Sequence, residues 1–142
     1  VRKIVHDLKP EQMDKKQLDI ALEEFFHEVQ VNSGIDIQFR KNEPTFTLTS
    51  EAELSIFRGV QEAITNAMRH GQATRITVLL MYNPSQLVVT IKDNGTGAVD
   101  LAPKGGLKSL QERLRAEGGS VTLEASNPGV TVQMILPNTE KQ

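Results

Sequence analysis

The sequence predicts an α+β fold, a two-layer sandwich in which one mixed, mostly antiparallel sheet is covered on one face by helices. Three observations point to it. Helical and strand-like stretches follow the order ααββαββαββ, so helices fall between pairs of strands, unlike the strict alternation of a doubly wound sheet. The stretch Ser50 to Gly71 reads as one long helix with an apolar side. At 142 residues, 38% hydrophobic and 24% charged, the chain has the size and balance of one domain with one core.

Taken in order, Ile4, Val5 and Leu8 sit at helical spacing until Lys9-Pro10 interrupts them. Residues 1–10 therefore read as the end of an upstream helix, and 11–142 as the domain itself. Asp14 and Gln17 have capping-box spacing, and Leu18, Leu22, Phe25, Phe26 and Val29 form an apolar stripe. This predicts a helix from about Lys15 to Val31, ending before Gly34. Ile35, Ile37 and Phe39 alternate with polar residues, as do Phe46 and Leu48 within Thr45 to Thr49, so two short strands flank Lys41 to Pro44.

The central helix carries two unlike faces. Ser50 and Glu53 have capping-box spacing, and Gly71 supplies a stop. At about 100° per residue, Ile56, Val60, Ala63, Ile64, Ala67 and Met68 gather on one side as a core face. Glu62, Asn66, Arg69 and His70 gather on the other, at spacings that let neighbouring side chains meet. A solvated face, the plain alternative, usually carries interchangeable Lys and Glu rather than four different chemistries.

Thr74 to Tyr82 and Gln86 to Lys92 read as a hairpin joined by Asn83-Pro84-Ser85, with Val78 to Met81 and Leu87 to Val89 apolar enough to be buried on both faces. Leu107, Leu110 and Leu114 mark an amphipathic helix stopped by Gly118-Gly119. Ser120 to Ala125 and Val130 to Leu136 close the chain as a second hairpin around Asn127-Pro128-Gly129.

Composition narrows the function. With 16 basic and 18 acidic residues, a formal charge of −2 leaves no broad cationic footprint for nucleic acid. No apolar run is long enough to span a bilayer, and no signal peptide is recognisable. The absence of Cys excludes disulfides and thiolate metal sites and suits a reducing compartment, while His6, His27 and His70 have no zinc-type spacing. The chain begins at Val1 with no initiator Met, as expected of a fragment of something longer.

Two loops carry further signals. Asp93 sits where a strand runs out into Asp93-Asn94-Gly95-Thr96-Gly97, so its carboxylate would be held at the sheet rim while Gly95 and Gly97 allow a flat ligand to approach. An Asn94-Gly95 hairpin turn is the structural alternative, but Thr96 to Lys104 does not resume a strand. A calcium loop fits less well, because the later positions are wrong for one. Gly105-Gly106 precedes a helix, where free amides and the positive helix end suit an anion such as phosphate; ordinary loop glycine is the alternative. A nucleotide accounts for all three signals.

Together these motifs resemble sensor histidine kinases. Glu62, Asn66, Arg69 and His70 in EAITNAMRH are similar to the N-box, in the form seen in the subfamily paired with LuxR-type response regulators. Asp93-x-Gly95-x-Gly97 resembles the G1 box, and Gly106 to Arg113 resembles the G2 stretch G-x-G-L-x-x-M-x-E-R. Gly129-Val130-Thr131 leading to Leu136-Pro137 resembles the closing strand. Two departures stand in the G2 stretch: Lys104 at its first glycine and Leu110 at its methionine. The resemblance implies the Bergerat-type ATPase fold shared with gyrase, MutL and the heat-shock chaperone ATPases.

It also implies ATP and Mg²⁺ as cofactors and a cytoplasmic location, with the parent protein soluble or anchored in the inner membrane. Asp93 would accept from the adenine amine, where guanine presents a carbonyl. Asn66 would hold Mg²⁺, and Glu62 would share the ion through water or polarise the attacking group. Arg69 and His70 would face the triphosphate, the Gly105, Gly106, Leu107 and Lys108 segment would cap it, and Thr131 would complete the site. The implied partners are a histidine-bearing dimerisation domain of the same protein and a response regulator. His6-Asp7 echoes a phosphoacceptor motif, but Pro10 would break the long helix such a motif needs, so residues 1–10 fit better as the end of the second dimerisation helix. An anti-sigma-type serine kinase and a non-catalytic nucleotide-gated binding module are the alternatives on the same boxes.

Overall fold

The computed structural model describes residues 17–97, 101–126 and 128–139. Their elements are α1 (Leu18–Ser33), β1 (Asp36–Lys41), α2 (Ser50–Arg69), β2 (Arg75–Tyr82), β3 (Gln86–Asp93), α3 (Gly105–Arg115), β4 (Ser120–Ala125) and β5 (Val130–Pro137). The expected upstream helix over residues 1–10 and the cap at Asp14 lie outside the described residues. α1 starts at Leu18, after an extended Gln17 (φ −65°, ψ 151°); the expected start at Lys15 lies outside the described residues.

The five strands form one sheet in the order β1-β2-β3-β5-β4. β1 lies parallel to β2, and every other pair is antiparallel. A parallel neighbour cannot be reached by a tight turn, so the chain must cross over the sheet. α2 is that crossover. This overturns the strand expected over Thr45 to Thr49, which is irregular and serves as the return leg from β1 to α2. Pro44 has no N–H to give a ladder. Thr45 Oγ1 instead donates to Asn83 O at 2.7 Å, and the buried Phe46 ring packs on Tyr82 at 5.4 Å.

α2 is capped one residue earlier than its sequence suggests. Thr49, not Ser50, is the extended N-cap, and its hydroxyl accepts from Ala52 N at 3.0 Å. The helix ends at Arg69, and the residue with positive φ beyond it is Gln72 (52°) rather than Gly71. Ile56, Val60, Ala63, Ile64 and Ala67 are buried as expected, and Met68 packs half-buried against them.

Among the described residues the helices cover one sheet face only. Along β2 and β3 the residues Ile76, Val78, Leu80, Leu87, Val89 and Ile91 are buried, while the alternate positions between them are partly exposed. Burial on both faces is therefore corrected to burial on one, as an antiparallel sheet with a single helical layer requires. Phe25 anchors the core between α1 and α2, with its ring 5.9 Å from Phe57, and Phe26 lies edge-on to Phe39 of β1 at 5.1 Å. α3 buries Leu107, Leu110 and Leu114, and Arg113 Nη1 donates to Ser55 Oγ at 2.9 Å, which ties α3 to α2. Among the described residues no helix is long and apolar enough to cross a membrane.

Tyr82, the one tyrosine of the chain, is half-buried. Burial pushes its phenol up to about 12, helped by the nearby charges of Glu53 and Asp19. The Asp19 hydrogen bond at 2.5 Å likewise raises the Lys41 ammonium above its ordinary value. Both groups hold their protons more tightly folded than unfolded, so their contribution is complete below the ordinary tyrosine value of about 10 and is lost as pH rises through their folded values. Tyrosinate absorbance should therefore show a midpoint near 12 in the folded chain. Stability by urea unfolding should fall between about pH 10 and that point, with a shallower fall in Tyr82→Phe. A midpoint near the ordinary value would show the ring to be solvated.

Candidate functional site

The C-terminal half of α2, the end of β3 and the start of α3 enclose a cavity of about 890 Å³. Helix period brings Glu62, Ala63, Asn66, Ala67 and His70 to its wall from α2. Strand period brings Val130 and Val132 from β5 and Leu123 from β4. Thr96, Gly97, Ala102, Lys104, Gly105 and Leu107 close it from the loop and the first turn of α3. The walls are thus largely apolar, with acid and amide groups at chosen points.

Asp93 is the polar group set deepest. It is 9% exposed, at the last position of β3. Its Oδ1 accepts from Gly95 N at 2.8 Å and from Val130 N at 3.4 Å. Its Oδ2 has no hydrogen bond among the described residues, where no buried side-chain oxygen is left without a partner. Oδ2 therefore meets the cavity that Asp93 lines, and one acceptor stays available to a ligand.

Backbone contacts hold this end rigid. Thr96 N donates to Gly71 O at 2.7 Å, which joins the loop after β3 to the turn after α2. Asn94 Oδ1 accepts from both Thr74 N and Arg75 N at 2.9 Å, which pins the same loop to the start of β2. Gly129 has φ 94°, and a Cβ there would stand 2.0 Å from Asp93 O. At the opposite end a Cβ on Gly106 would stand 3.2 Å from Glu62 Oε1, so the first turn of α3 passes directly beside that carboxylate.

Comparison with known proteins decides the family. Residues 51–140 match the model of the histidine kinase-, DNA gyrase B- and HSP90-like ATPases. The chain belongs to that ATPase family. Curated relatives are 30% identical over 145 residues: the sensor histidine kinase MctS of Rhizobium johnstonii, matched over 98% of this chain and 32% of the relative, and the oxygen sensor histidine kinase NreB of Staphylococcus carnosus, matched over 99% and 42%. The chain thus spans 32% and 42% of the length of these two relatives. Among solved structures, the catalytic domain of the histidine kinase ThkA superposes with a TM-score of 0.68 at 17% identity, covering 88% of this chain and 94% of that one. The ATP-binding domain of PrrB from Mycobacterium tuberculosis superposes with a TM-score of 0.61 at 21% identity, covering 81% and 88%. The fold is that of histidine kinase ATP-binding domains.

Within this ATPase domain, Glu62, Asn66, His70, Asp93, Gly97, Gly105 and Leu107 line this one cavity. Other expected residues stand elsewhere. Arg69 is exposed and off the wall, because a helix turns about 100° per residue and Arg69 points that far from His70, toward solvent. Lys108 is exposed beside the lining Leu107 for the same reason. Gly95 packs on Gly71, where a Cβ would stand 2.3 Å from the Gly71 carbonyl oxygen, and Gly106 packs on Glu62. Gly105 and Gly106 lie inside the first turn of α3 rather than ahead of it. Thr131 pairs with Lys92 on the outer sheet face, and its hydroxyl bonds Ser126 Oγ. Strand alternation puts Val130 and Val132 at the cavity in its place, a choice that the register of β5 against β3 would have made plain.

Two glycine substitutions separate backbone strain from the contact on Asp93. Gly97→Ala meets a left-handed φ of 88° but only an atom 3.7 Å away, and should cost about 1 kcal/mol in urea unfolding. Gly129→Ala meets the same strain plus the main chain of Asp93 and should cost at least about 2 kcal/mol. Equal losses would show that the close approach to Asp93 contributes nothing.

Proposed function

We propose that this chain is the ATP-binding catalytic domain of a sensor histidine kinase. In this reading it presents the γ-phosphate of ATP to a histidine on a separate dimerisation domain of the same protein, for relay to a response regulator. The observation that carries the reading is Asp93, a buried carboxylate with one oxygen held by two backbone amides and the other facing a cavity of nucleotide size. The names of the curated relatives support the histidine acceptor over the serine one.

Asp93 Oδ2 accepts from the exocyclic amine of adenine. Guanine presents a carbonyl oxygen there, so acceptor meets acceptor and the wrong base is rejected. Ala63, Ala67, Leu107, Leu123, Val130 and Val132 exclude water from the base, which strengthens that hydrogen bond. Asn66 is a neutral oxygen ligand on a rigid helix, suited to Mg²⁺, which is commonly held by few protein groups together with phosphates and water. Mg²⁺ bound with the nucleotide would shield the phosphate charge. Glu62, one turn earlier, shares the ion through water or polarises the attacking imidazole. Both residues line the same cavity, which favours a catalytic domain over a nucleotide-gated binding module.

Calorimetry with ATP and GTP, with and without Mg²⁺, tests the site. ATP should bind and GTP should not. Asp93→Asn should weaken ATP by about ten- to a hundredfold, the range of a hydrogen bond to a charged group, and Asn66→Ala should remove mainly the Mg²⁺-dependent part. For the reaction, radiolabelled ATP supplied with the full-length protein should leave an acid-labile, base-stable label, as a phosphohistidine does. An acid-stable label would turn the assignment to a hydroxyl acceptor, and no binding of any adenine nucleotide would overturn it.

A further inference from the structure

The charges in the cavity wall single out a residue that the family motifs do not. Glu62 and Asp93 are carboxylates in that wall, and a nucleotide triphosphate would add several more negative charges. Of the two side chains expected to face that charge, Arg69 is exposed and outside the wall, while His70 lines it. Among the described residues that line the cavity, Lys104 is the one lysine or arginine. It stands where the G2 pattern has glycine.

Its position along the cavity is set by α2. Asp93 lies at the Gly71 end, through the loop contacts of Thr96 and Gly95. Glu62 precedes Gly71 by nine residues, on the order of 13 Å along a helix axis. The first turn of α3 packs beside Glu62, and Lys104 is the N-cap residue immediately before that turn. A nucleotide whose base reaches Asp93 therefore extends its phosphates toward Lys104. The ammonium would add to the positive end of α3 at the point where the phosphate charge arrives. Lys104 is exposed, so its charge is not desolvated before a ligand binds.

We propose that Lys104 is a phosphate ligand of this site, engaging the terminal phosphates of bound ATP from the N-cap of α3. The assignment rests on the ATP reading of the cavity and adds to it a contact that the glycine of the pattern cannot make. A lysine is a compact point charge on a flexible stem, suited to reaching a phosphate oxygen without a fixed geometry.

The test compares ATP with adenosine, which fills the base end but carries no phosphate. ATP binding is measured by calorimetry and adenosine by NMR titration, on the 142-residue chain and on Lys104→Met and Lys104→Arg. The Met variant should weaken ATP about tenfold or more while leaving adenosine affinity unchanged, and the Arg variant should hold ATP near the parent value. Unchanged adenosine binding also shows that the variant is folded. If Lys104→Met binds ATP as tightly as the parent, or loses adenosine in equal measure, Lys104 is no phosphate ligand although the ATP site stands. If the parent binds neither compound, the ATP reading falls and the Lys104 assignment falls with it.

Discussion

A carboxylate taken out of water needs donors, and the donors found for Asp93 are main-chain amides from two separate segments, Gly95 just beyond β3 and Val130 at the start of β5. Much of the surrounding architecture serves that arrangement. Gly129 must lack a side chain for β5 to come so near, Gly95 must lack one for the loop to rest on Gly71, and Asn94 fixes the loop to β2 from the other side. The result is one acceptor held without freedom while its twin stays open. A carboxylate on a flexible loop would satisfy both oxygens with water and discriminate nothing.

The second constraint is topological. Because β1 is parallel to β2, α2 must run across the sheet, and this crossover delivers its C-terminal half to the ends of β3 and β5. The same 20-residue helix therefore supplies core side chains on one face and Glu62, Asn66 and His70 to the cavity on another. Its two faces were legible in the residues because helix periodicity is strong over so long a stretch. The two hairpins and the leucine stripe of α3 were legible for the same reason.

What was not legible depended on partners distant in sequence. Phe46 and Leu48 alternate as a strand would, yet Thr45 is held by Asn83 O and Phe46 by the Tyr82 ring, contacts with residues nearly forty positions away that the local pattern does not contain. Val78 to Met81 reads as buried on both faces, but whether a second helical layer exists is a property of the whole chain. The N-cap of α2 was misplaced by a residue because Thr49 and Ser50 are both good caps, and only the backbone dihedrals distinguish them. Arg69, Lys108 and Thr131 share one feature: each is next in sequence to a lining residue, and such a neighbour turns away from the cavity on a helix and to the other face on a strand. Lys104 was visible only as a departure, and its place in the wall became visible with the fold.

The contact between Gly129 and Asp93 also lies on the seam where the two hairpins join through β3 and β5. Each hairpin can form from residues close in sequence, but this seam pairs positions about forty to fifty residues apart, and such closures come late in folding. The cavity therefore does not exist until the hairpins have docked. Any molecule that occupies it binds the docked form alone, and by mass action it acts as a clasp on the sheet, favouring the joined state by a factor that grows with its concentration relative to its Kd.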